Sequence, residues 1–402
     1  MMSSKLVPEL RFKEFSGEWE EKKLKNIAKI TTGNSNREDS TENKGQYTFF
    51  DRSEDIRTSH RYLFDDEAII VAGEGQKFIP KYYKGKFDLH QRTYAILQLQ
   101  IIGKFLYYYT DKYKDYFLQN AVGSTVKSLR LPMFQQMPIL LPTLPEQQKI
   151  ANTFSSLDNL IETQTKKVEL LKSHKKGLMQ KLFPRYGAKV PEVRFKEFSG
   201  EWKNYQLRDI TSYFKGFAFK SKDYTSNGKR IVRVSDMGFD YIKKTDKAIY
   251  LKEEDAKQYT RWKLQKDDLI ITTVGSKPPM YDSLVGRTIV VKYKDKSSLL
   301  NQNAVCLRAN KNINQHFLNT LFKRNEYITF IESIIRGNAN QGSIALENLF
   351  KYRVFIPTPQ EQQKIADTLS SLDNLIEAQT KKIELLKEHK KGLMQKMFVG
   401  DK

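Results

Sequence analysis

Residues 142–183 read PTLPEQQKIANTFSSLDNLIETQTKKVELLKSHKKGLMQKLF, and residues 357–398 read PTPQEQQKIADTLSSLDNLIEAQTKKIELLKEHKKGLMQKMF. The two stretches match at 34 of 42 positions, at an offset of 215 residues. A shorter pair precedes them, because residues 7–19 (VPELRFKEFSGEW) recur at 190–202 (VPEVRFKEFSGEW) with 12 of 13 positions identical. Between the repeats, residues 28–141 and 211–356 show little similarity. The chain is therefore a tandem duplication, in which a fixed frame holds two different bodies.

The longer repeat has the apolar spacing of a coiled coil. Hydrophobic residues recur at alternating intervals of four and three over about five heptads, and a glutamine and a lysine fill the two remaining positions. A proline and an acidic residue at each start suit a helix N-terminus. The predicted seam consists of Ile150, Phe154, Leu157, Ile161, Gln164, Val168, Leu171, Lys175, Leu178 and Leu182 in the first copy, and of Ile365, Leu369, Leu372, Ile376, Gln379, Ile383, Leu386, Lys390, Leu393 and Met397 in the second.

Two seams in one chain predict helices that pair with each other, because tethered helices have a high effective concentration. Pairing with helices of a partner protein is the alternative. A whole body connects the two helices, which allows an antiparallel spacer with the bodies at its opposite ends. At ~1.5 Å per residue, helices of about 38 residues span about 57 Å, so we expect the helices to set the distance between the bodies. The polar seam residues either fix the helix register or face a partner.

Composition points to a polyanionic partner and to a reducing compartment. Lysine and arginine total 69 against 47 acidic residues, a net charge of +22, and nucleic acid is the commonest partner of such a chain. The single cysteine, Cys306, excludes an internal disulfide. No apolar run approaches a membrane span, and the start lacks the apolar core of a signal peptide. The expected location is the cytoplasm, without membrane attachment.

The two bodies are predicted to share an α/β (α+β) fold and to differ in their loops. Residues 64–75 parallel 265–276, and residues 90–97 parallel 301–308. Each body ends in a loop rich in glycine or asparagine before the fixed helix, at 123–132 and 337–346. Strands are predicted at 68–72, 94–98, 231–234, 269–274, 287–291 and 304–307, and helices at 107–118 and 317–335.

In this order, the paired bodies and four repeated motifs resemble the specificity subunit of type I restriction-modification systems. The motifs are RFKEFSGEW, EQQKIA, LDNLIE and HKKGLMQK, each present twice. The resemblance implies recognition domains at 1–142 and 184–357, with conserved spacer helices at 143–183 and 358–402. It implies that each domain reads one half of a split double-stranded DNA site. Two modification subunits and the restriction subunits would then perform adenine methylation and ATP-dependent cleavage, with S-adenosylmethionine, ATP and magnesium held in those partners.

The residues themselves predict a chain that is not an enzyme. The Lys277-Pro278-Pro279-Met280 segment lacks the polar leader and the aromatic residue of an amino-methyltransferase motif. No P-loop or glycine-rich nucleotide cradle is present, and no histidine or cysteine cluster suggests a metal site. Two alternatives remain: a stand-alone DNA methyltransferase or nuclease, and a basic coiled-coil scaffold that binds nucleic acid without specificity. The scaffold does not explain why two bodies diverge inside one repeated frame.

DNA recognition requires polar and basic side chains on loops that enter a groove. The loops after the central strands and the loops that close each body supply them. Roughly half or more of protein–DNA hydrogen bonds go to the backbone, so the alternatives to a base-edge contact for any one candidate are a phosphate contact and plain solvation. The candidates are Arg37, Arg52, Gln76, Lys77, Arg92, Lys127 and Arg130 in the first body, and Lys220, Arg233, Ser276, Lys277, Arg336, Asn338, Asn340 and Gln341 in the second.

Overall fold

The structure is a computed structural model that describes residues 6–40, 44–53, 55–185, 187–238, 241–276, 285–337 and 341–400. It divides into two compact units. Unit 1 comprises Met1–Val168 together with Gln379–Lys402, and unit 2 comprises Glu169–Ala378. Each unit therefore contains one recognition body and parts of both long helices.

Unit 1 is built on a mixed sheet with strand order β2-β8-β5-β7-β3-β4 and on two short strand pairs, β1-β10 and β6-β9. Its strands are β1 (Glu20–Lys23), β2 (Lys29–Thr32), β3 (Tyr47–Phe50), β4 (Arg57–Ser59), β5 (Phe64–Ala72), β6 (Glu74–Gly75), β7 (Lys81–Leu89), β8 (Thr93–Leu97), β9 (Lys127–Ser128) and β10 (Pro138–Leu141). Its helices are α1 (Gly103–Lys112), α2 (Lys114–Asn120), α3 (Leu131–Gln135) and the first part of α4 (Leu144–Lys181), with 3₁₀ turns at Leu24–Asn26 and Arg37–Asp39.

Unit 2 contains the sheets β12-β19-β15-β17, β14-β13-β18 and β16-β21-β20 and the pair β11-β22. Its strands are β11 (Lys203–Gln206), β12 (Thr211–Lys215), β13 (Lys229–Val232), β14 (Ile249–Leu251), β15 (Leu269–Thr272), β16 (Val274–Gly275), β17 (Thr288–Val290), β18 (Leu299–Leu300), β19 (Ala304–Ala309), β20 (Arg336–Gly337), β21 (Gly342–Ser343) and β22 (Arg353–Ile356). Its helices are α5 (Leu207–Ile210), α6 (Glu253–Ala256), α7 (Gln315–Leu321), α8 (Asn325–Ile334), α9 (Leu346–Leu349) and α10 (Pro359–Met397), with 3₁₀ segments at Ser221–Asp223, Val234–Asp236, Lys257–Trp262 and Tyr293–Asp295. The second part of α10 belongs to unit 1.

The two bodies share a fold, as the sequence predicts. The antiparallel order β2-β8-β5-β7 recurs as β12-β19-β15-β17. The outer pair also repeats in register, because Glu20 opposes Leu141 in unit 1 and Lys203 opposes Ile356 in unit 2. Strands predicted at 68–72, 94–98, 231–234, 269–274, 287–291 and 304–307 coincide with β5, β8, β13, β15–β16, β17 and β19, within a few residues at their ends.

The stretches predicted as single helices are each broken in two. The stretch 107–118 is divided at Tyr113, where φ −102° and ψ 22° depart from helical values between α1 and α2. The stretch 317–335 is divided before α8, because Arg324 has extended backbone. The apolar residues continue at helical spacing through both breaks, so the sequence pattern alone does not predict where either helix ends.

Within each unit the long helices pair side by side and antiparallel. In unit 1 the ring of Phe154 stacks on that of Phe398 at 5.9 Å, and the Lys390 ammonium lies 2.6 Å from Asp158. In unit 2 the equivalent Lys175 forms an ion pair with Asp373. The predicted pairing within the chain is therefore confirmed, and the two lysines take part in cross-helix ion pairs of the kind that fixes register.

The RFKEFSGEW repeat fastens each body to a helix start through a buried ion pair. In unit 1 the Arg11 guanidinium donates through Nε and Nη2 to both carboxylate oxygens of Glu146, at 2.8 and 2.7 Å. Arg194 donates to Glu361 in the same way in unit 2, at 2.9 and 2.8 Å. Both carboxylates are 1% exposed. We call each pair, Arg11–Glu146 and Arg194–Glu361, an arginine lock.

The repeated segments 7–19 and 190–202, which we call the lead-in segments, also contact the far end of the other long helix. In unit 1 the Leu10 amide donates to the Lys396 carbonyl at 2.8 Å, and in unit 2 the Val193 amide donates to the Lys181 carbonyl at 3.0 Å. The tryptophan of each segment is buried in its unit. Trp19 meets the edge of Phe398, and Trp202 meets Phe183, with ring centroids 6.4 and 5.9 Å apart. Burial of such large side chains contributes about 1.5–3 kcal/mol each.

Candidate nucleic-acid interface

Each body presents a short strand ribbon at the end of its central strand. In unit 1 this is β6 paired with β9, and in unit 2 it is β16 paired with β21, which also pairs with β20. A tight turn supports each ribbon at a glycine, Gly123 with φ +106° and Gly337 with φ +100°. A Cβ at either glycine would lie 2.3 Å from a carbonyl oxygen, so the turn excludes side chains at both positions. The loops that the sequence singled out are thus brought together with the central strands.

Three exposed arginines of unit 1 surround two carboxylates beside this ribbon. Arg92 Nη1 donates to both oxygens of Glu74, at 3.1 Å each, and Arg52 Nη1 lies 3.5 Å from Glu74 Oε2. Arg37 Nε lies 3.6 Å from Asp51 Oδ2. The three arginine side chains are 52–60% exposed, whereas the Glu74 side chain is 20% exposed. We call this group, formed by Arg37, Arg52 and Arg92 around Asp51 and Glu74, the arginine surface.

Titration at the arginine surface favours ionised Asp51 and neutral His90. Burial alone would raise the pKa of Asp51, but hydrogen bonds from Ser53 and the nearby guanidinium groups outweigh it, and the pKa is lowered. Burial lowers the pKa of His90, and the neighbouring arginines act in the same direction. The His90 Nδ1 atom accepts a hydrogen bond from the Arg92 amide at 3.0 Å. The positive charge of the surface therefore comes from its arginines.

The remaining candidates of unit 1 lie on or beside the same ribbon. Lys127 is in β9 opposite Gly75, and the exposed Gln76 donates through Nε2 to the Thr125 carbonyl at 3.3 Å. Lys77 and Arg130 are exposed, and Arg130 immediately precedes α3. The structure thus brings six of the seven candidates to one ribbon and its surroundings, with Arg37 joined through Asp51.

In unit 2 the structure collects fewer of the candidates. Arg336 lies in β20 and is exposed, and the exposed Gln341 directly precedes β21, so these two share the ribbon. Ser276 follows β16 but is only 2% exposed. Its side chain is therefore not presented to solvent. Lys277, Asn338 and Asn340 lie outside the described residues.

The two other candidates of unit 2, Arg233 and Lys220, lie outside that ribbon. Arg233 donates through Nε and Nη2 to Asp236 at 3.1 Å each and to the Lys247 carbonyl at 2.7 Å, so its guanidinium supports a local turn. This pairing raises the pKa of Arg233. Lys220 is exposed before the 3₁₀ turn Ser221–Asp223. Neither has a described contact with β16, β20 or β21.

Sequence reasoning missed the acidic members of the arginine surface. A search for residues that contact DNA favours basic and amide side chains, and Glu74 and Asp51 are neither. The signal was present, because Glu74 lies two residues after the central strand and two before Gln76, in the loop that was singled out. Arg57 and Arg61 were also not chosen, although Arg61 lies 3.5 Å from the buried carboxylate of Asp88.

All the predicted seam residues are buried or half-buried in the structure. The polar ones differ in how they are satisfied. Lys175 and Lys390 have acidic partners on the facing helix. Gln164 and Gln379 are half-buried, and the side-chain oxygen of Gln379 has no hydrogen-bond partner among the described residues.

The family model for the type I restriction modification DNA specificity domain matches residues 16–173 and 199–388. The chain therefore belongs to this family and contains its domain twice. A relative over most of the length is the type I restriction enzyme MjaVIII specificity subunit of Methanocaldococcus jannaschii, which is 25% identical over 85% of this chain and 81% of the relative. The type I restriction enzyme EcoDI specificity subunit of Escherichia coli is 31% identical over 38% of this chain and 34% of the relative.

Solved structures share the fold. The S subunit of a type I restriction-modification system from M. genitalium aligns with a TM-score of 0.65 at 16% identity, over 98% of this chain and 100% of that chain. A chain from a type I R-M complex aligns with a TM-score of 0.52 at 16% identity, over 96% and 98%. Among the described residues, no helix is long and apolar enough to span a membrane, and no group of three or more histidine, cysteine or acidic side chains forms a metal site.

Proposed function

We propose that this DNA specificity subunit reads a split double-stranded site, one half with each body, and directs adenine methylation and ATP-dependent cleavage by partner subunits. The observation that supports this proposal is the duplication itself. The frame repeats nearly residue for residue, whereas the ribbon of unit 1 carries the arginine surface and that of unit 2 carries Arg336 and Gln341. Two different surfaces on one repeated frame suit two different half-sites.

The proposal assigns chemistry to the partners. Two modification subunits would hold S-adenosylmethionine and transfer the methyl group, and restriction subunits would use ATP and magnesium. The chain itself would be non-catalytic, hold no cofactor and act in the cytoplasm. The residues proposed for DNA contact present guanidinium, ammonium and amide groups, which suit base edges in the major groove and phosphates.

Reconstitution with a modification subunit tests this division of labour. We expect methylated adenines at one split sequence when DNA is treated with this chain, a modification subunit and S-adenosylmethionine, and none with this chain alone. Replacing residues 28–141 with the equivalent segment of a relative should change one half of that sequence and leave the other. Methyl transfer by the lone chain, or a change in both halves, would contradict the proposal.

A second test addresses the arginine surface. In a Glu74→Gln variant, Arg52 and Arg92 lose their shared anionic partner, so their guanidinium groups are less fixed. We expect discrimination in one half-site to fall by about 10-fold, which is within the range of one bidentate base contact. Overall DNA affinity should rise slightly, because a negative charge is removed. Binding to sites mutated at single base pairs measures both effects.

The other half-site is the internal control, and Glu9→Gln is the matched variant. Glu9 forms an exposed ion pair with Lys396 at 3.0 Å in the same unit, so this variant makes the same charge change away from the ribbon. Unchanged discrimination in the Glu74→Gln variant, or an equal loss in both half-sites, would show that Glu74 does not position the arginines.

A further inference from the structure

Two exposed amide side chains of unit 1 form a hydrogen-bonded pair next to the arginine surface. Gln91 donates through Nε2 to Asn36 Oδ1 at 2.7 Å, and both residues are exposed. Asn36 immediately precedes Arg37, and Gln91 immediately precedes Arg92, so each of the two amides adjoins a member of the arginine surface along the chain. We call Asn36 and Gln91 the amide pair.

The backbone beneath the amide pair is fixed by a short ladder and a buried carboxylate. The Ser35 amide donates to the Leu89 carbonyl at 3.2 Å, and the Gln91 amide donates to the Ser35 carbonyl at 3.0 Å. The Ser35 hydroxyl donates at 2.6 Å to Asp88, whose side chain is 0% exposed. Since Ser35 directly precedes Asn36, both members of the pair start from anchored backbone. This anchoring lowers the entropic cost of a contact made by their side chains.

The remaining polar atoms of the amide pair are a donor and an acceptor. Among the described residues, neither Asn36 Nδ2 nor Gln91 Oε1 takes part in a hydrogen bond. In the major groove, adenine is the one base that presents an acceptor, N7, beside a donor, N6. Guanine presents two acceptors there, and a phosphate presents only acceptors, so Gln91 Oε1 would have no donor to accept from. The pair is therefore complementary to adenine.

Unit 2 has the same backbone ladder without the amide pair. The Phe217 amide donates to the Leu300 carbonyl at 3.0 Å, and the Gln302 amide donates to the Phe217 carbonyl at 2.9 Å, which repeats the ladder of unit 1. The residue after Phe217 is the exposed Ala218, at the position that Asn36 occupies in unit 1. Since alanine carries no amide, Gln302 has no counterpart of Asn36 to pair with. The two bodies thus differ at an equivalent position beside their proposed DNA contacts.

We propose that the amide pair reads one adenine in the major groove, and that only the half-site of unit 1 is read in this way. Asn36 Nδ2 donates to adenine N7, and Gln91 Oε1 accepts from the N6 amino group. This inference rests on the proposed function, which makes DNA the ligand of unit 1. It adds the base that is selected and the two side chains that select it.

An Asn36→Ala variant tests the assignment, because it gives unit 1 the residue that unit 2 has. Asn36 is exposed and unit 2 accommodates alanine at this position, so the fold should be retained, which thermal unfolding checks. If the unfolding temperature falls, Asn36→Asp replaces this variant. Aspartate has nearly the same size and can still accept from Gln91, but it cannot donate to N7.

Selection from DNA of random sequence measures the effect. The full chain with a modification subunit is mixed with random double-stranded DNA, and the bound DNA is sequenced. We expect the wild-type chain to select a split sequence. Asn36→Ala should lower the preference for adenine at one position of one half by about 10–100-fold and leave the other half unchanged. Gln91→Ala should relax the same position, because both amides contact one base.

Removing a single atom of the base tests for direct contact. 7-Deazaadenine lacks the N7 acceptor and still pairs with thymine. At the selected position it should weaken binding of the wild-type chain by about 10-fold and weaken binding of Asn36→Ala no further, because that variant has already lost the donor. Asn204→Ala is the matched control. It makes the same change at an exposed residue of β11 and should leave both halves unchanged.

Three results would overturn the inference. Asn36→Ala could leave every position as selective as before, or could relax a G·C position or both halves together. 7-Deazaadenine could weaken binding of the wild-type chain and of the variant equally, which would place Asn36 away from N7. Asn204→Ala could relax the same adenine. A wild-type chain that selects no sequence would contradict the proposed function itself, and this outcome is distinguished from the others because no variant is needed to see it.

Discussion

Raising the salt concentration from 50 to 200 mM is expected to lower the affinity of this chain for its DNA site by about 10³–10⁵-fold. The net charge of +22, the three exposed arginines beside the ribbon of unit 1 and the exposed Arg336 in that of unit 2 favour phosphate contacts, and about 6–10 such contacts, each of which releases counterions, would give this loss. The slope of log affinity against log salt, measured by fluorescence anisotropy, gives the number of contacts. A nearly flat dependence would contradict a broad backbone footprint.

Single variants show whether an individual residue contacts a phosphate or a base. If Arg336 holds a phosphate, Arg336→Ala should weaken binding to all sequences alike and reduce the salt slope by about one. If Arg336 reads a base, the loss should fall on one position of the site. Lys203→Ala is the matched control, because Lys203 is exposed in β11 outside the ribbon of unit 2 and should leave both quantities unchanged.

Replacing Arg194 by methionine is expected to lower the free energy of unfolding of unit 2 by about 3–5 kcal/mol, because the variant leaves the Glu361 carboxylate buried without its partner. The lock is a strong one, since the guanidinium donates to both carboxylate oxygens and to the Ser199 carbonyl at 3.0 Å. Arg11→Met should have an equal effect on unit 1. Urea denaturation measures the loss in the free energy of unfolding. Hydrogen exchange, measured separately on the native variants, assigns that loss to unit 1 or unit 2.

A nearby exposed ion pair supplies the control for the lock. Lys364 lies on the same helix turn as Glu361 and forms an ion pair with Glu197 at 3.3 Å, with both side chains about half exposed. Lys364→Met should cost less than about 1 kcal/mol. A double variant, Arg194→Met with Glu361→Met, should recover much of the stability lost by Arg194→Met alone, because no unpaired charge stays buried. Equal losses in the lock and control variants would refute the buried-pair argument.

The long helices could be predicted because the heptad spacing of their apolar residues can be read from neighbouring residues alone. The heptad spacing gave seam residues that all lie on the less exposed side, and the chain offered two seams of equal length. The recognition bodies could be predicted only in outline. Their strands follow from short apolar runs. At the two helix breaks, however, Tyr113 donates to the Val399 carbonyl and Arg324 to the Pro184 carbonyl, and partners so distant in sequence are absent from any short stretch of residues.

The positions of the candidate residues could be predicted where those residues follow the end of a strand. Their exposure to solvent could not be predicted where it depends on the packing of the folded chain. Gln76 and Lys127 share a ribbon because strand ends and closing loops meet there. Ser276 occupies the matching position after β16, yet it is 2% exposed. The arginine locks were hidden for another reason. The repeat shows that Arg11 and Glu146 recur as Arg194 and Glu361, but spacing in sequence does not say which repeated residues touch.

The contact between lead-in segment and helix end has a consequence for the order of synthesis. Unit 2 is continuous in sequence, so all its residues have been made once the ribosome has passed Ala378. Unit 1 begins first but finishes last, because Trp19 packs in one core with Met394, Met397 and Phe398. Until these residues emerge, the nascent amino-terminal body has an open apolar face, which chaperones or proteases can recognise. The body that leaves the ribosome first thus depends for its completion on residues that are made after all of unit 2.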